Sequence, residues 1–201
     1  EIKKAFPNSK ILISIRNPIE RSHSAYFSYQ FMKPNEQNFM EMIKTHEKLI
    51  SEKIFYIDSI LESGFYTKNI KRYQEIFGKE NVKVIIFEDY IKNTNQHIAS
   101  IFNFLGINDK IDLNEQSKGS YRVPKNFFAK SLLNNKNFRK VSTILIPTVM
   151  RQKLGDKYFL KQVKKPEMLE NERNYLRELY NDEVNELEKF LGKKLPWKDF
   201  H

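Results

Sequence analysis

Lys10-Ile-Leu-Ile-Ser-Ile-Arg16-Asn17-Pro18 is a short apolar run, rich in isoleucine, that follows the turn signal Pro7-Asn8-Ser9 and stops abruptly at an arginine. Such a run between turn residues predicts a buried strand over 10–16. Asn17 is a good helix N-cap, and Pro18 suits the first helical position because its missing N–H has no intrahelical partner to lose. A helix is expected through about Phe31, ended by Lys33-Pro34-Asn35. Strand, tight turn and helix in that order predict an α/β fold. In a parallel sheet the turn between them lies at the carboxyl edge, where ligands bind.

Outward from this junction, residues 37–62 carry helical periodicity up to Gly64. Phe65 to Phe77 places Tyr66, Ile70, Tyr73 and Phe77 on one stripe, and Gly78 fits its C-cap. Asn81-Val-Lys-Val-Ile-Ile-Phe-Glu88 reads as a second strand, with Glu88-Asp89 at its carboxyl end. A helix over 98–105 closes at Gly106, residues 107–126 are polar and irregular, and helical segments are expected over 126–134 and 138–152. A longer helix over 167–191 aligns Leu176, Leu179, Tyr180, Val184, Leu187 and Leu191 and closes at Gly192. Two strands are too few for an independent sheet, so further strands are expected upstream of residue 1.

The 201 residues suffice for one α/β domain with a core, and residues 1–201 are read as a single, partial domain. Lys and Arg number 35 against 25 Asp and Glu, a net charge of +10 that suits nucleotides, nucleic acid, anionic glycans or an anionic membrane surface. A Lys- and Asn-rich bias that only maintains solubility fits as well. The basic residues recur along the chain without a block of five or six, which argues against a basic tail. There is no cysteine, which excludes disulfides, thiolate nucleophiles and cysteine-ligated zinc and favours a bacterial cytoplasmic protein over a secreted or Golgi-lumenal one. No apolar run approaches the length needed to span a bilayer.

Arg16 and Ser24 carry the chemistry. A guanidinium leaving the end of a strand can grip a phosphate in two places, a serine hydroxyl two turns into the helix can add a donor, and the helix start adds N–H groups and a positive dipole end. The spacing by itself equally fits a capped loop with a solvent-exposed arginine. Glu88-Asp89 can be read as an acid/base pair or as a structural feature, and the structural reading is preferred because neighbours on a strand face opposite ways. His23, His46, His97 and His201 have no acidic or metal-ligand pattern around them, and no metal is assigned.

Pro7-Asn-Ser-Lys-Ile-Leu-Ile-Ser-Ile-Arg-Asn-Pro-Ile-Glu-Arg-Ser-His-Ser-Ala-Tyr26 resembles the 3′-phosphate motif of sulfotransferases that use 3′-phosphoadenosine 5′-phosphosulfate (PAPS). That pattern is a strand, Arg-(Asp/Asn)-Pro, a second Arg, and a Ser eight residues after the first Arg. Arg16, Asn17, Pro18, Arg21, Ser24 and Tyr26 fall on it. Gly64-Phe-Tyr66 with the helix to Phe77, Val84-Ile-Ile-Phe-Glu-Asp-Tyr90, Ile101-Phe-Asn-Phe-Leu-Gly106 and Leu187-Glu-Lys-Phe-Leu-Gly-Lys-Lys-Leu-Pro-Trp197 are similar to later family segments, in the same order.

The resemblance implies a three-layer, P-loop-like parallel sheet flanked by helices, with a helical C-terminal part. It implies Arg16 and Ser24 on the 3′-phosphate, with Arg21 structural or a nearby electrostatic residue. The loop from Ser117 through Lys118 and Gly119 to Arg122 would wrap the donor, and Tyr66 and Phe87 are candidates near the adenine, though aromatic residues at such spacing more often belong to a core. The co-substrate would be PAPS, leaving 3′,5′-ADP, with no metal, and the acceptor a hydroxyl or amine on a glycan or small molecule. Acceptor choice is expected in 32–62 and 107–125. The chain opens at Glu1, and the family's 5′-phosphosulfate loop, its Lys and the general base are expected upstream, so the chain by itself is expected to be inactive. The compartment implied is the bacterial cytoplasm, or the Golgi lumen in a eukaryote. The alternatives are a kinase-like P-loop enzyme and a non-catalytic basic module for polyanions.

Overall fold

The structure is a computed structural model and describes residues 1–32, 37–52, 59–107 and 122–201. The chain divides into two compact units. The first takes in Glu1–Ser28, Asn35–Asn114 and Met168–His201; the second takes in Tyr29–Pro34 and Glu115–Glu167.

In the first unit a short helix α1 (Ile2–Ala5) precedes strand β1 (Ile11–Ile15) and helix α2 (Pro18–Met32), which belongs to this unit as far as Ser28. Helix α3 (Phe39–Ser51) begins at a reciprocal cap, in which Asn38 Oδ1 accepts from Glu41 N–H and Glu41 Oε2 accepts from Asn38 N–H, both at 2.9 Å. It buries Phe39, Met42, Ile43 and His46 at the spacing of one helix face. Helix α4 (Thr67–Phe77), strand β2 (Val82–Ile86) and helices α5 (Phe87–Lys92), α6 (Thr94–Leu105) and, after the second unit, α10 (Glu170–Leu191) complete it. β1 and β2 pair in parallel with Ile11 opposite Val82 and Ile15 opposite Ile86. α4 lies against both strands, and α10 lies against α4. Leu176, Tyr180, Val184 and Leu187 of α10 are fully buried with Ile15, Ile19, Ile43, Ile70 and Trp197.

Gly64 is required by this packing. A Cβ there would sit 2.8 Å from Cε1 and from the hydroxyl of Tyr180. That ring cannot swing away, because its hydroxyl donates to the Leu61 carbonyl at 2.9 Å and contacts Ser22 Oγ at 2.9 Å.

Several expectations change. β2 stops at Ile86 and Glu88-Asp89 lies in the first turn of α5, not on a strand end. β1 is covered on one face only, with Leu12 and Ser14 exposed while Ile15 is buried. The described residues of this unit hold two parallel strands, not the full three-layer sheet. The segment expected to be helical over 138–152 is broken at Pro147, which holds Ile146 in the extended region.

In the second unit β3 (Arg122–Pro124) pairs antiparallel with β4 (Leu160–Gln162). Between them run α7 (Phe127–Asn134), α8 (Lys136–Leu145) and α9 (Thr148–Leu154). Asn126 Oδ1 caps α7 by accepting from Ala129 N–H at 2.8 Å, and Asn135 Oδ1 caps α8 by accepting from Asn137 and Phe138 N–H at 2.9 and 3.1 Å.

Candidate functional site

The parallel register of β1 and β2 ends both strands together, so Arg16 and Phe87 leave the sheet side by side at its carboxyl edge. The Arg16 guanidinium stacks over the Phe87 ring, 5.2 Å from its centroid. Among the described residues no carboxylate pairs with it. An arginine with an aromatic face beneath it and no acid partner keeps its donors available to an anion.

The Arg16 backbone is clamped from below. The Tyr66 hydroxyl donates to the Arg16 carbonyl at 2.8 Å and accepts, at 3.4 Å, from the Arg16 N–H. Burial pushes the Tyr66 phenol up to about 12, the Arg16 hydrogen bond and the Arg21 and Arg16 charges opposing this only in part. Tyr66 is therefore a core residue fixed on Arg16. Phe87 lies under the guanidinium. Neither matches a free adenine platform.

Tyr66 is held in turn by α10. One carboxylate oxygen of Glu183 accepts from Tyr66 N–H, Thr67 N–H and the Thr67 hydroxyl, each at 2.8 Å. These donors open α4, where a negative charge also meets the positive end of the helix dipole.

Asn17 is a junction rather than a simple cap. Its N–H donates to Glu88 Oε1 at 2.9 Å, its Nδ2 donates to Asp199 Oδ2 at 2.7 Å, and its Oδ1 accepts from Ile19 N–H at 3.0 Å. The other Glu88 oxygen accepts from Trp197 Nε1 at 3.0 Å. Asp199 Oδ1 accepts from Arg173 at 2.7 Å, and Arg173 donates its second nitrogen to Glu20 at 2.8 Å. Both Glu88 oxygens are thus occupied by structural donors. The helix start offers an anion less than the sequence suggested, since Pro18 has no N–H and that of Ile19 is already taken by Asn17.

The two serines after Arg21 separate clearly. Ser22 is fully buried and bonds the Pro18 carbonyl at 2.8 Å and Tyr180. Ser24 is half-buried, and no described residue takes its hydroxyl; only its carbonyl is used, by Ser28 Oγ at 3.1 Å. Arg21 donates to the Ile60 carbonyl at 3.3 Å. Lys118 and Gly119 lie outside the described residues, as does the rest of the expected donor loop up to Tyr121. Among the described residues there is no cluster of three or more His, Asp or Glu that could hold a metal. His46 Nδ1 accepts from Ile60 N–H at 3.0 Å inside the core, and His201, contrary to the sequence reading, does meet a carboxylate, Glu188 at 2.8 Å. Asp199, Arg173 and Glu183 gave no signal in the sequence.

A sulfotransferase domain model matches residues 2–194, and the chain belongs to the sulfotransferase family. The crystal structure of a sulfotransferase from Alicyclobacillus acidocaldarius is similar, with a TM-score of 0.63 and 22% identity, over 96% of this chain and 59% of that one. At that identity the likeness concerns the fold, and this chain spans well under two thirds of the other's length. No curated protein sequence matches.

Proposed function

We propose that this chain carries the 3′-phosphate-binding part of a PAPS-dependent sulfotransferase. Arg16 grips the 3′-phosphate as a two-pronged donor, Ser24 adds a hydroxyl, and the donor's sulfuryl group passes in line to an acceptor hydroxyl or amine, leaving 3′,5′-ADP. Lys118 and Gly119 are proposed to close over the nucleotide. The observation that carries this reading is the Arg16 guanidinium. It has no acid partner among the described residues, lies over Phe87, and its backbone is pinned by Tyr66 at the carboxyl edge of a parallel strand pair. Ser24 supports it with a hydroxyl that no described residue takes, where that of Ser22 is bonded to Pro18 and Tyr180.

The test is calorimetric titration with 3′,5′-ADP and with 5′-AMP. Charge-assisted hydrogen bonds contribute about 1.5–3 kcal/mol, so 3′,5′-ADP is expected to bind roughly ten- to a hundredfold more tightly. Arg16→Ala should abolish the difference and Ser24→Ala should reduce it. Equal binding of the two nucleotides, or a preference that survives Arg16→Ala, refutes the assignment.

A further inference from the structure

The net charge of the chain is not evenly distributed. Residues 122–167 contain twelve Lys or Arg and two Asp or Glu, a surplus of ten that equals the +10 of the whole chain, while the remaining residues balance at 23 of each sign. All of these residues belong to the second unit. The same 46 residues expose apolar side chains that a protein in water ordinarily buries: Phe127 is 85% exposed, Ile144 82% and Leu145 72%, and Phe128, Val149 and Met150 are exposed as well.

Ile144 to Met150 reads Ile-Leu-Ile-Pro-Thr-Val-Met, seven residues without a charge, at the corner where α8 turns into α9. Val141, Ile144 and Leu145 share one exposed face of α8 at the i, i+3, i+4 spacing. Exposed lysines flank the corner, Lys140 before it and Lys153 and Lys157 after it. An uncharged aliphatic corner between basic helices is the pattern of an element that lies in a membrane interface, with its apolar tip among the acyl chains and its lysines among anionic headgroups.

We infer that the second unit docks on an anionic lipid bilayer through the α8–α9 corner. Charge complementarity selects this occupant. A second copy would bring the same surplus of ten positive charges against this one. A nucleic acid or acidic glycan would satisfy the lysines and leave the aliphatic tip in water. No helix among the described residues is long and apolar enough to cross a membrane, so the contact is with the surface. The inference does not depend on the 3′-phosphate site, which lies in the first unit.

The test is sedimentation of the full 201-residue chain with vesicles of phosphatidylcholine alone and of phosphatidylcholine containing one third phosphatidylglycerol. Binding is expected only to the anionic vesicles, and should weaken as salt rises. The pair Ile144→Ser with Leu145→Ser should lower the partition coefficient roughly tenfold or more, since two large side chains no longer enter the bilayer. The pair Lys140→Gln with Lys153→Gln should lower it about twenty-fivefold, at about fivefold per basic group. Both pairs are exposed, so circular dichroism melts should stay unchanged. Equal partition onto neutral and anionic vesicles, or absence of binding to either, overturns the inference. So does capture by a sulfated glycan without vesicle binding, or self-association that the serine pair abolishes.

Discussion

Replacing Glu183 tests whether α10 sets the geometry of the candidate site from a distance. One carboxylate oxygen accepts three donors at 2.8 Å, two of them the first free N–H groups of α4. Loss of a helix cap costs about 0.5–2 kcal/mol and loss of a favourable dipole charge about 0.3–1 kcal/mol. The stranded Thr67 hydroxyl, fully buried, adds about 1 kcal/mol. Glu183→Ala should therefore destabilise the first unit by about 2–4 kcal/mol, a large share of a typical ~5–15 kcal/mol. Glu183→Gln keeps an acceptor oxygen but loses its charge, and should cost about half as much. Urea unfolding read by the fluorescence of Trp197, the sole tryptophan and a buried residue, measures this directly. Tyr66 sits at this cap and clamps Arg16, so Glu183→Ala should also weaken 3′,5′-ADP more than 5′-AMP. If both variants unfold within about 0.5 kcal/mol of the parent, or Gln is as stable as the parent while Ala is not, the charge-capping account fails.

Gly64→Ala forces a Cβ to 2.8 Å from a locked ring and should cost about 1–3 kcal/mol; adding Tyr180→Phe removes the hydroxyl that locks the ring and itself stands 2.8 Å from that Cβ, so the double variant should lose less than the sum of the two single changes. Tyr66→Phe keeps the ring and drops the clamp, costing about 1 kcal/mol in stability and several-fold in 3′,5′-ADP affinity. Because burial raises the Tyr66 phenol from 10.0 to about 12, its neutral form favours the folded state up to pH 10 and that contribution is lost as pH rises toward 12, so Tyr66→Phe should flatten this part of the alkaline unfolding curve. Burial lowers the His46 imidazole below its ordinary 6.5, so the unfolded chain takes up the proton first and stability should fall as pH drops through 6.5; His46→Gln should remove that slope in urea titrations across this range.

Local grammar carried much of this into the sequence. The isoleucine run, Asn17-Pro18 and the glycines at 78, 106 and 192 mark the first strand and the helix ends, because each such signal acts within a few residues. The start of α5 did not show, since Phe87-Glu88-Asp89 can continue a strand or open a helix. What opens the helix is tertiary: Glu88 meets Asn17 and Trp197, which lie 71 and 109 residues away in sequence. Arg16 was legible because a motif places it. The reason it stands still was not, since Tyr66 is 50 residues away and the carboxylate that fixes Tyr66 another 117. The surplus charge in 122–167 is legible by counting, but its lysines and arginines are spaced out and form no block of five or six.

The Arg-(Asp/Asn)-Pro position shows how a short motif and a distant residue constrain each other. Asn17 donates Nδ2 to Asp199 at 2.7 Å, so an aspartate at position 17 would put two carboxylates in contact, with Glu88 beside them on the backbone N–H. Asn17→Asp should therefore cost about 2–3 kcal/mol, one part lost hydrogen bond and one part like-charge repulsion. Asp199→Asn alone keeps an oxygen for Arg173 and should cost about 1 kcal/mol, because that bond is no longer charge-assisted. Together the two changes exchange donor and acceptor across the same 2.7 Å contact and restore one negative charge, so the pair should be more stable than the sum of the singles by at least about 1 kcal/mol. Urea unfolding of the four proteins gives that coupling. Additive losses would mean that Asn17 and Asp199 do not hold the tail to the sheet edge, and the choice of asparagine in this motif would have no partner to explain it.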